Sequence, residues 1–355
     1  MATVRPGTNL SAIATALGVS VATVSNALSG KGRVSAELSE KIRRTADELG
    51  YVPSSAGRAL RTGRSGVLGL VLPDIANPLF PQIAQAIEQA AGNAGYGVLI
   101  ADSRGEISKQ TEAINRLIER GVDGMVIVPR RGTRIADVDF PVAVIDSPST
   151  PGNTVSADHW AGGAMLGQYL ANLGHRKILL VGKNPDSNVQ NDRLGGLRSA
   201  LPNGCVTETL WIERLEQTSG GDCGLGLAKK VEDGFTAFAA VSDLHALRVL
   251  TELQREGINV PEQVSVAGFD DLIWAPVVTP PLTTMRMDMD RIAEIAVAAL
   301  VNVIENEDVV GKFLAGNVTS DVSKVPMELV IRGSAGPVTN DLMNVKNSRA
   351  GEHIS

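Results

Sequence analysis

The sequence predicts a small all-α helix-turn-helix headpiece followed by an α/β core of two doubly wound parallel-sheet subdomains. Three observations carry that expectation. Leu10 to Leu28 holds two short amphipathic helical stretches pinned on a Gly18-Val19-Ser20 turn, apolar runs alternate with amphipathic helices from Val67 onward, and charge divides unevenly between these parts. At 355 residues, with 43% hydrophobic and 20% charged residues, the chain has an ordinary globular composition and enough length for several domains. Residues 1–64 hold nine Lys or Arg against four Asp or Glu, a balance of +5, so with an overall charge of −6 the remainder carries −11. The basic end is the expected polyanion contact.

In the first helical stretch Ile13, Ala14 and Leu17 share one face, and Gly18 supplies the backbone freedom that a sharp helix-to-helix turn needs. Ser20 is placed to cap the next helix, where Val24, Ala27 and Leu28 recur at helical spacing and turn inward. Val21, Ala22, Thr23, Ser25, Asn26 and Ser29 are left outside as short or polar groups, a face that fits a nucleic-acid groove. A third amphipathic helix, Ala36 to Leu49, turns Leu38, Ile42, Ala46 and Leu49 inward and Lys41, Arg43 and Arg44 outward. After Tyr51-Val52-Pro53, the stretch Ser54 to Ser65 mixes basic and small residues with one large apolar group, Leu60.

Val67 to Leu72 then reads as a buried strand, followed by a helix marked by Ile83, Ile87 and Ala91, a strand Gly97 to Ala101, and a helix around Ile114 and Leu117. Strands at Met125 to Val128 and Val142 to Ile145 complete a first parallel α/β unit. A second series runs through a helix around Leu166, strand Ile178 to Val181, helix Arg193 to Leu201, strand Glu208 to Ile212, helix Leu225 to Val231, strand Ala237 to Val241, helix Leu244 to Glu256 and strand Val264 to Ala267. Ligands of open parallel sheets bind outside the carboxyl ends of the strands, so two such units facing each other form a cleft.

The segment ATALGVSVATVSNALSGKGRVSAELSEKIRRTADELGYVPSSAGRAL resembles the headpiece and hinge of the LacI/GalR family of bacterial transcriptional repressors. The resemblance continues through Asp74-Ile75-Ala76-Asn77-Pro78-Leu79-Phe80, Gly174-His175-Arg176-Lys177-Ile178, Gly268-Phe269-Asp270-Asp271 and Pro281-Leu282-Thr283-Thr284-Met285-Arg286. It implies a DNA-binding headpiece over 1–50, a hinge over 51–64, a periplasmic-binding-protein-like core over 65–332 that crosses between subdomains near Asp158, Arg286 and Asn317, and a flexible tail over 333–355. It also implies a transcriptional regulator, expected to act as a repressor, that binds a pseudo-palindromic double-stranded operator. A small polar effector, a sugar or sugar derivative, would control that binding from the cleft. With no leucine heptad in the tail, a homodimer is expected.

Carried over by position, Val21, Ala22 and Asn26 match base-reading residues, while Ser20, Thr23, Ser25 and Ser29 match residues that hold the phosphate backbone. Many members carry Arg where this chain has Asn26, and Asn pairs best with adenine, so the operator is expected to differ. Ala12 stands where Asp is usual, which puts the capping of the first helix in question. By itself Leu60 reads as ordinary helix packing. The resemblance makes it a minor-groove wedge, with Arg58 among the phosphate contacts beside it.

For the effector, Arg193 matches an arginine that grips ligand oxygens, and Asp270 a strand-end carboxylate that accepts from ligand hydroxyls. Asp146 has a similar placement, although a strand-end Asp also reads as a cap or turn residue. Leu79 and Phe80 match pocket walls, and Ser242 replaces an Asn often found before Asp243. Trp160 and Trp274 lie near cleft-lining segments, with core packing the expected role for each.

Cys205 and Cys223 are the only cysteines, too few for a disulfide framework and in no metal-ligand spacing, so free thiols, no metal and no cofactor are expected. The first thirty residues lack a basic segment followed by an apolar one, and no apolar run approaches ~18 residues. A cytoplasmic location without membrane insertion is therefore expected. An exported solute-binding sensor with no DNA role would share the core but would require a signal peptide and no basic headpiece. An enzyme would use Asp270-Asp271 or His175 as acid–base groups, yet no nucleophile elbow, metal constellation or Gly-rich phosphate loop accompanies them.

Overall fold

The computed structural model describes residues 9–29, 34–51, 63–129, 140–146, 152–220, 223–306 and 323–338. The chain divides into two compact units, Met1–Gly66 and Val67–Ser355.

In the first unit three helices, α1 (Leu10–Leu17), α2 (Val21–Ser29) and α3 (Ala36–Glu48), enclose a core of Ile13, Ala14, Val24, Ala27, Ile42 and Ala46. The α1 and α2 axes are bent by 108°. Gly18 makes this turn with φ 64 and its N–H on the Ala14 and Thr15 carbonyls, a left-handed cap that residues with a Cβ rarely adopt. Where an Asp was missing at position 12, the cap comes from Asn9, whose Oδ1 accepts from the Ala12 N–H at 3.0 Å. The cap expected from Ser20 forms: its Oγ accepts from the Thr23 N–H at 3.0 Å. Leu49, expected inward, is instead exposed at the C-cap of α3.

Among the described residues the second unit holds a four-stranded, a six-stranded and a two-stranded sheet. The first has the order β2 (Gly97–Asp102), β1 (Val67–Leu72), β3 (Gly124–Ile127), β4 (Val142–Val144), parallel throughout. Helices α4 (Leu79–Asn93) and α5 (Ile107–Glu119) belong to it. After β5 (Val155–Ala157) the second subdomain begins with α6 (His159–Asn172), β6 (Lys177–Gly182), α7 (Asn188–Ser199), β7 (Val206–Trp211), α8 (Ile212–Ser219) and α9 (Leu227–Glu232). It continues with β8 (Ala237–Ala240), α10 (Asp243–Arg255), β9 (Ser265–Phe269) and β10 (Thr283–Met287). The chain then returns as α11 (Met289–Glu305) to pack on α4 and β3, and closes with β11 (Ser323–Val325) and β12 (Met327–Val330).

The second sheet has the order β12-β10-β9-β8-β6-β7, all parallel except the edge strand β12, which runs antiparallel to β10. That antiparallel edge is added to the parallel sheet the sequence predicts. An antiparallel partner needs no crossover helix, and the chain reaches it from the first subdomain through β11, paired with β5.

The three crossings fall at Asp158, Asp288 and Pro326, between elements of different subdomains. The first two lie at and two residues beyond the expected positions near Asp158 and Arg286; Arg286 itself lies within β10, paired to Asp271 at 2.7 Å and Glu328 at 3.2 Å. Asn317 lies outside the described residues.

The flexible tail does not begin at Gly333. Ser334 is buried, its Oγ donating to the Val266 carbonyl at 2.6 Å and accepting from the Thr283 N–H at 2.8 Å, and the Val338 N–H donates to the Leu173 carbonyl at 2.9 Å. His175, buried at 2% exposure, secures this segment. Its Nε2 lies 3.1 Å from the Gly336 carbonyl, which only accepts, so Nε2 carries the proton and Nδ1 accepts from the Thr236 hydroxyl at 2.9 Å. His175 is thus a packing residue, and burial pushes its pKa down to about 4, with the Gly336 hydrogen bond opposing and Arg176 adding to the fall.

The unfolded imidazole titrates near the ordinary histidine value of 6.5. The folded state therefore binds fewer protons between pH 6.5 and 4, and the contribution of neutral His175 is complete above the upper value and lost as pH falls toward the lower. The stability difference between the parent and His175→Asn should be largest at neutral pH and fall by about 3 kcal/mol between pH 6.5 and 4. It should shrink through that window in urea titrations; a difference that is flat with pH would remove this account.

Candidate functional site

The outward face of α2 consists of exposed Val21, Ala22 and Asn26, with Thr23 and Ser25 half-buried beside them. Val24 and Ala27 face the core, as the helical spacing requires. Ser20 and Thr23 hydroxyls lie 2.8 Å apart at the start of the helix, the end that favours an anion. Ser29 ends the helix, and Arg58 and Leu60 lie outside the described residues. No single described helix is long and apolar enough to cross a membrane.

In the second unit a cavity of about 1430 Å³ lies between the two sheets. Its walls include Pro73 and Asp74 beyond β1, Val128 and Pro129 beyond β3, Lys183 beyond β6, and Val241 and Ser242 beyond β8. These pairs bracket the points where strand order reverses in each sheet, between β1 and β3 and between β6 and β8, and such reversals open a crevice at the carboxyl ends.

All six cleft residues read from the sequence line this cavity: Leu79, Phe80, Asp146, Arg193, Ser242 and Asp270. Leu79 and Phe80 open α4, half-buried. The Asp146 N–H donates to Asn153 Oδ1 at 2.8 Å. Ser242 is the N-cap of α10, its Oγ accepting from the His245 N–H at 3.4 Å and lying 2.5 Å from His245 Nδ1.

Arg193 lies in the second turn of α7 rather than at its mouth, 3% exposed, and it is paired with Asp270. Its NH1 donates to Asp270 Oδ1 at 2.9 Å and to the Val241 carbonyl at 2.7 Å, while its guanidinium stacks on Phe269 with 4.8 Å to the ring centroid. Two groups expected to grip a ligand separately therefore form one buried ion pair. Burial raises the Asp270 carboxyl, and Arg193 acts against that rise.

Asp270 and Asp271 both have positive φ, 106 and 49, a conformation that residues other than glycine rarely adopt. Asp271 is clamped by Arg286 and Arg332, each at 2.7 Å, and the Asp270 N–H donates to the Met285 carbonyl at 2.8 Å. Behind them the buried Asp243 accepts from the Thr284 hydroxyl at 2.5 Å and the Leu272 N–H at 2.8 Å; burial first, then Asp270, pushes its pKa up to about 8.

Sequence reasoning missed His159. This first residue of α6 is buried and accepts from Arg193 Nε at 3.3 Å, and burial together with Arg193 holds its pKa well below the usual value. No local pattern singles it out, because the contact depends on α6 lying against α7. Trp160 and Trp274, expected in the core, are 51% and 41% exposed. Trp160 covers Gly195 on α7, and Trp274 stands beside exposed Ile273 and Val277.

Comparison with known proteins agrees with both parts. Residues 9–54 match the bacterial regulatory proteins of the lacI family, and residues 168–335 match the periplasmic binding protein-like domain. The chain is 30% identical to the ribose operon repressor of Haemophilus influenzae, over 81% of this chain and 89% of that protein. It is 32% identical to an uncharacterized HTH-type transcriptional regulator of Streptomyces limosus, over 84% and 89%. Its fold matches the Lac repressor dimer bound to operator and the anti-inducer ONPF, with a TM-score of 0.73, 24% identity, and coverage of 93% of this chain and 100% of that one. The chain belongs to the LacI family and is a DNA-binding transcriptional regulator. The reading as a solute sensor without a DNA role is set aside by the family match over the headpiece.

Proposed function

We propose that this chain is a cytoplasmic, homodimeric repressor whose affinity for a pseudo-palindromic operator is set by a small polar effector, a sugar or sugar derivative, held in the cleft. The observation that carries the reading is the buried Arg193–Asp270 pair lining a cavity at the strand-order reversals of both sheets, in a chain that also bears a lacI-type headpiece. A ribose operon repressor among its relatives, and a Lac repressor solved as a dimer with operator and a small-molecule anti-inducer, support the operator, effector and dimer. The exposed apolar residues Ile273, Trp274 and Val277 support self-association. We read the chain as a binding protein and not an enzyme, with a headpiece over 1–50, a hinge over 51–64 and an effector-binding core from 65 that extends beyond 332 to include Ser334 and Val338.

On the DNA side, Val21, Ala22 and Asn26 read bases, while Ser20, Thr23, Ser25 and Ser29 hold phosphates. Leu60 is the minor-groove wedge and Arg58 a phosphate contact beside it. Asn26→Ala should lose about 1 to 3 kcal/mol of discrimination at one position of each half-site, since a bidentate amide–adenine contact disappears. Binding selections from a randomised operator pool measure this. Uniform weakening across all sequences would make Asn26 a phosphate contact. The function itself is tested by titrating a selected operator with the full chain, with and without small metabolites; operator affinity unmoved by every one of them would defeat the effector reading.

A further inference from the structure

We propose that Asp243 is a positioning residue for effector binding: from behind the cavity wall it holds the turn Asp270–Leu272 in place and so fixes where the Asp270 carboxylate faces the cleft. The proposal rests on the cleft being the effector site.

Asp243 opens α10 directly after the Ser242 cap and is fully buried, one layer behind the cavity wall that its neighbours Ser242 and His245 help to form. The turn it reaches has to be held. Asp270 and Asp271 sit at φ 106 and 49, a conformation that persists only where the surroundings over-determine it. Three successive N–H groups are captured: Asp270 by the Met285 carbonyl at 2.8 Å, Asp271 by the Thr284 hydroxyl at 3.4 Å, and Leu272 by Asp243 Oδ2 at 2.8 Å. Asp243 Oδ1 lies 2.5 Å from that same Thr284 hydroxyl, so one carboxyl supports the last two captures together. Gly268 on β9 leaves room for it, since a Cβ there would lie 2.4 Å from Oδ1.

Among the described residues no cation pairs with Asp243. Asp270 and Asp271 face it from the turn, and the nearby guanidiniums are turned to those two carboxylates: Arg193 of α7 to Asp270, Arg286 of β10 and Arg332 to Asp271. Strands β8 and β9 carry no titratable group. On its own helix His245 is kept neutral by burial, Lys183 and Arg248, its pKa lowered to about 4. The lysines of α9 pair with Glu232, Asp233 and Glu208, and Lys177 of β6 donates to the Asp233 carbonyl. Asp243 therefore keeps its proton at neutral pH, its pKa raised to about 8 by burial first and Asp270 second. Uncharged, it gives the Oδ1 hydrogen to Thr284 while Oδ2 still accepts from Leu272. Ionised, it sets a third carboxylate charge beside Asp270 and Asp271, so the hold on the turn weakens as pH rises through about 8.

The first arm of the test uses the full chain without ligand. Trp274 lies just beyond Leu272, and its emission, taken as the parent minus Trp274→Phe, is followed as pH is raised through 8. The expected result is one transition centred near pH 8 in the parent and none in Asp243→Asn, whose amide serves Thr284 and Leu272 without a titratable proton. A parent without the transition, or a transition that survives in Asp243→Asn, overturns the proposal. The second arm titrates D-ribose, D-glucose, D-galactose, maltose and adenosine by calorimetry. For a probe that binds the parent, Asp243→Asn should stay within about threefold, while Asp243→Ala, which leaves the Leu272 N–H unpaired, should weaken binding by about tenfold or more. Leu253→Ala, a deletion in the core further along α10, is the control: it should lower the urea midpoint and leave the affinity unchanged. Equal losses of affinity in Leu253→Ala and Asp243→Ala overturn the positioning role; should Asp243→Ala fail to fold, Asp243→Asn and the Trp274 signal decide. Binding of no probe by the parent overturns the effector reading of the cleft, and the Trp274 signal then decides by itself whether Asp243 holds the turn.

Discussion

Arg193→Ala abolishes the response of operator binding to the effector. The coupling expected between ligand and operator is about 1 to 3 kcal/mol, roughly a 5- to 150-fold change in operator affinity, and the variant should show none of it. Truncation removes the donor that faces the cavity and strands Asp270, 5% exposed, without its counter-charge. Breaking a buried pair from one side costs about 3 to 5 kcal/mol, so the variant should also denature earlier. Arg193→Lys should not restore the response, since a single ammonium cannot reach His159, Val241 and Asp270 in the planar arrangement the guanidinium occupies. Anisotropy titrations of a labelled operator with and without ligand provide the readout, and operator binding in the absence of ligand reports that the headpiece is intact. A variant that still responds at the parental ligand concentration would put the effector site elsewhere.

The substitution Gly163→Ala should cost about 3 kcal/mol or more, although it adds one methyl group inside a helix. A Cβ at Gly163 would lie 2.1 Å from the Arg193 carbonyl oxygen, and one at Gly196 would lie 2.0 Å from that of Trp160. These glycines bring the backbones of α6 and α7 together, and because the obstruction is backbone, relief requires moving a helix rather than a side chain. Any such movement carries Arg193 on α7 away from His159 on α6, so effector affinity should fall together with stability. Urea denaturation should show a lower midpoint at unchanged slope. Gly92→Ala serves as the contrast: it lies in α4 with nothing within 4 Å of an added Cβ, and it should stabilise by about 0.5 to 1 kcal/mol through reduced unfolded-state entropy. Equal effects at the two positions would mean that close approach of α6 and α7 is not what Gly163 provides.

The headpiece was legible in the sequence because its information is local. Helical spacing of Ile13, Ala14, Val24 and Ala27 fixes which faces meet, and Gly18 and Ser20 mark the turn and the cap within a few residues of the groups they serve. The parallel strands were legible for a similar reason: a strand covered on both faces, such as β1 or β6, must be apolar along its buried stretch. The cleft residues were named through resemblance, and each of the six lines the cavity.

Tertiary structure alone decided how those residues are used. Arg193 and Asp270 are 77 positions apart and Arg193 and His159 are 34 apart; no periodicity encodes that a guanidinium, a carboxylate and a neutral imidazole converge when α6, α7 and β9 pack. The burial of Ser334 through Thr283 and Val266, the antiparallel edge β12 and the crossing at Pro326 likewise depend on partners distant in sequence. Spacing along a chain reports the face a residue presents, because the helix and the strand repeat over a few residues. It does not report which other face arrives there, because that is settled by the packing of the whole core.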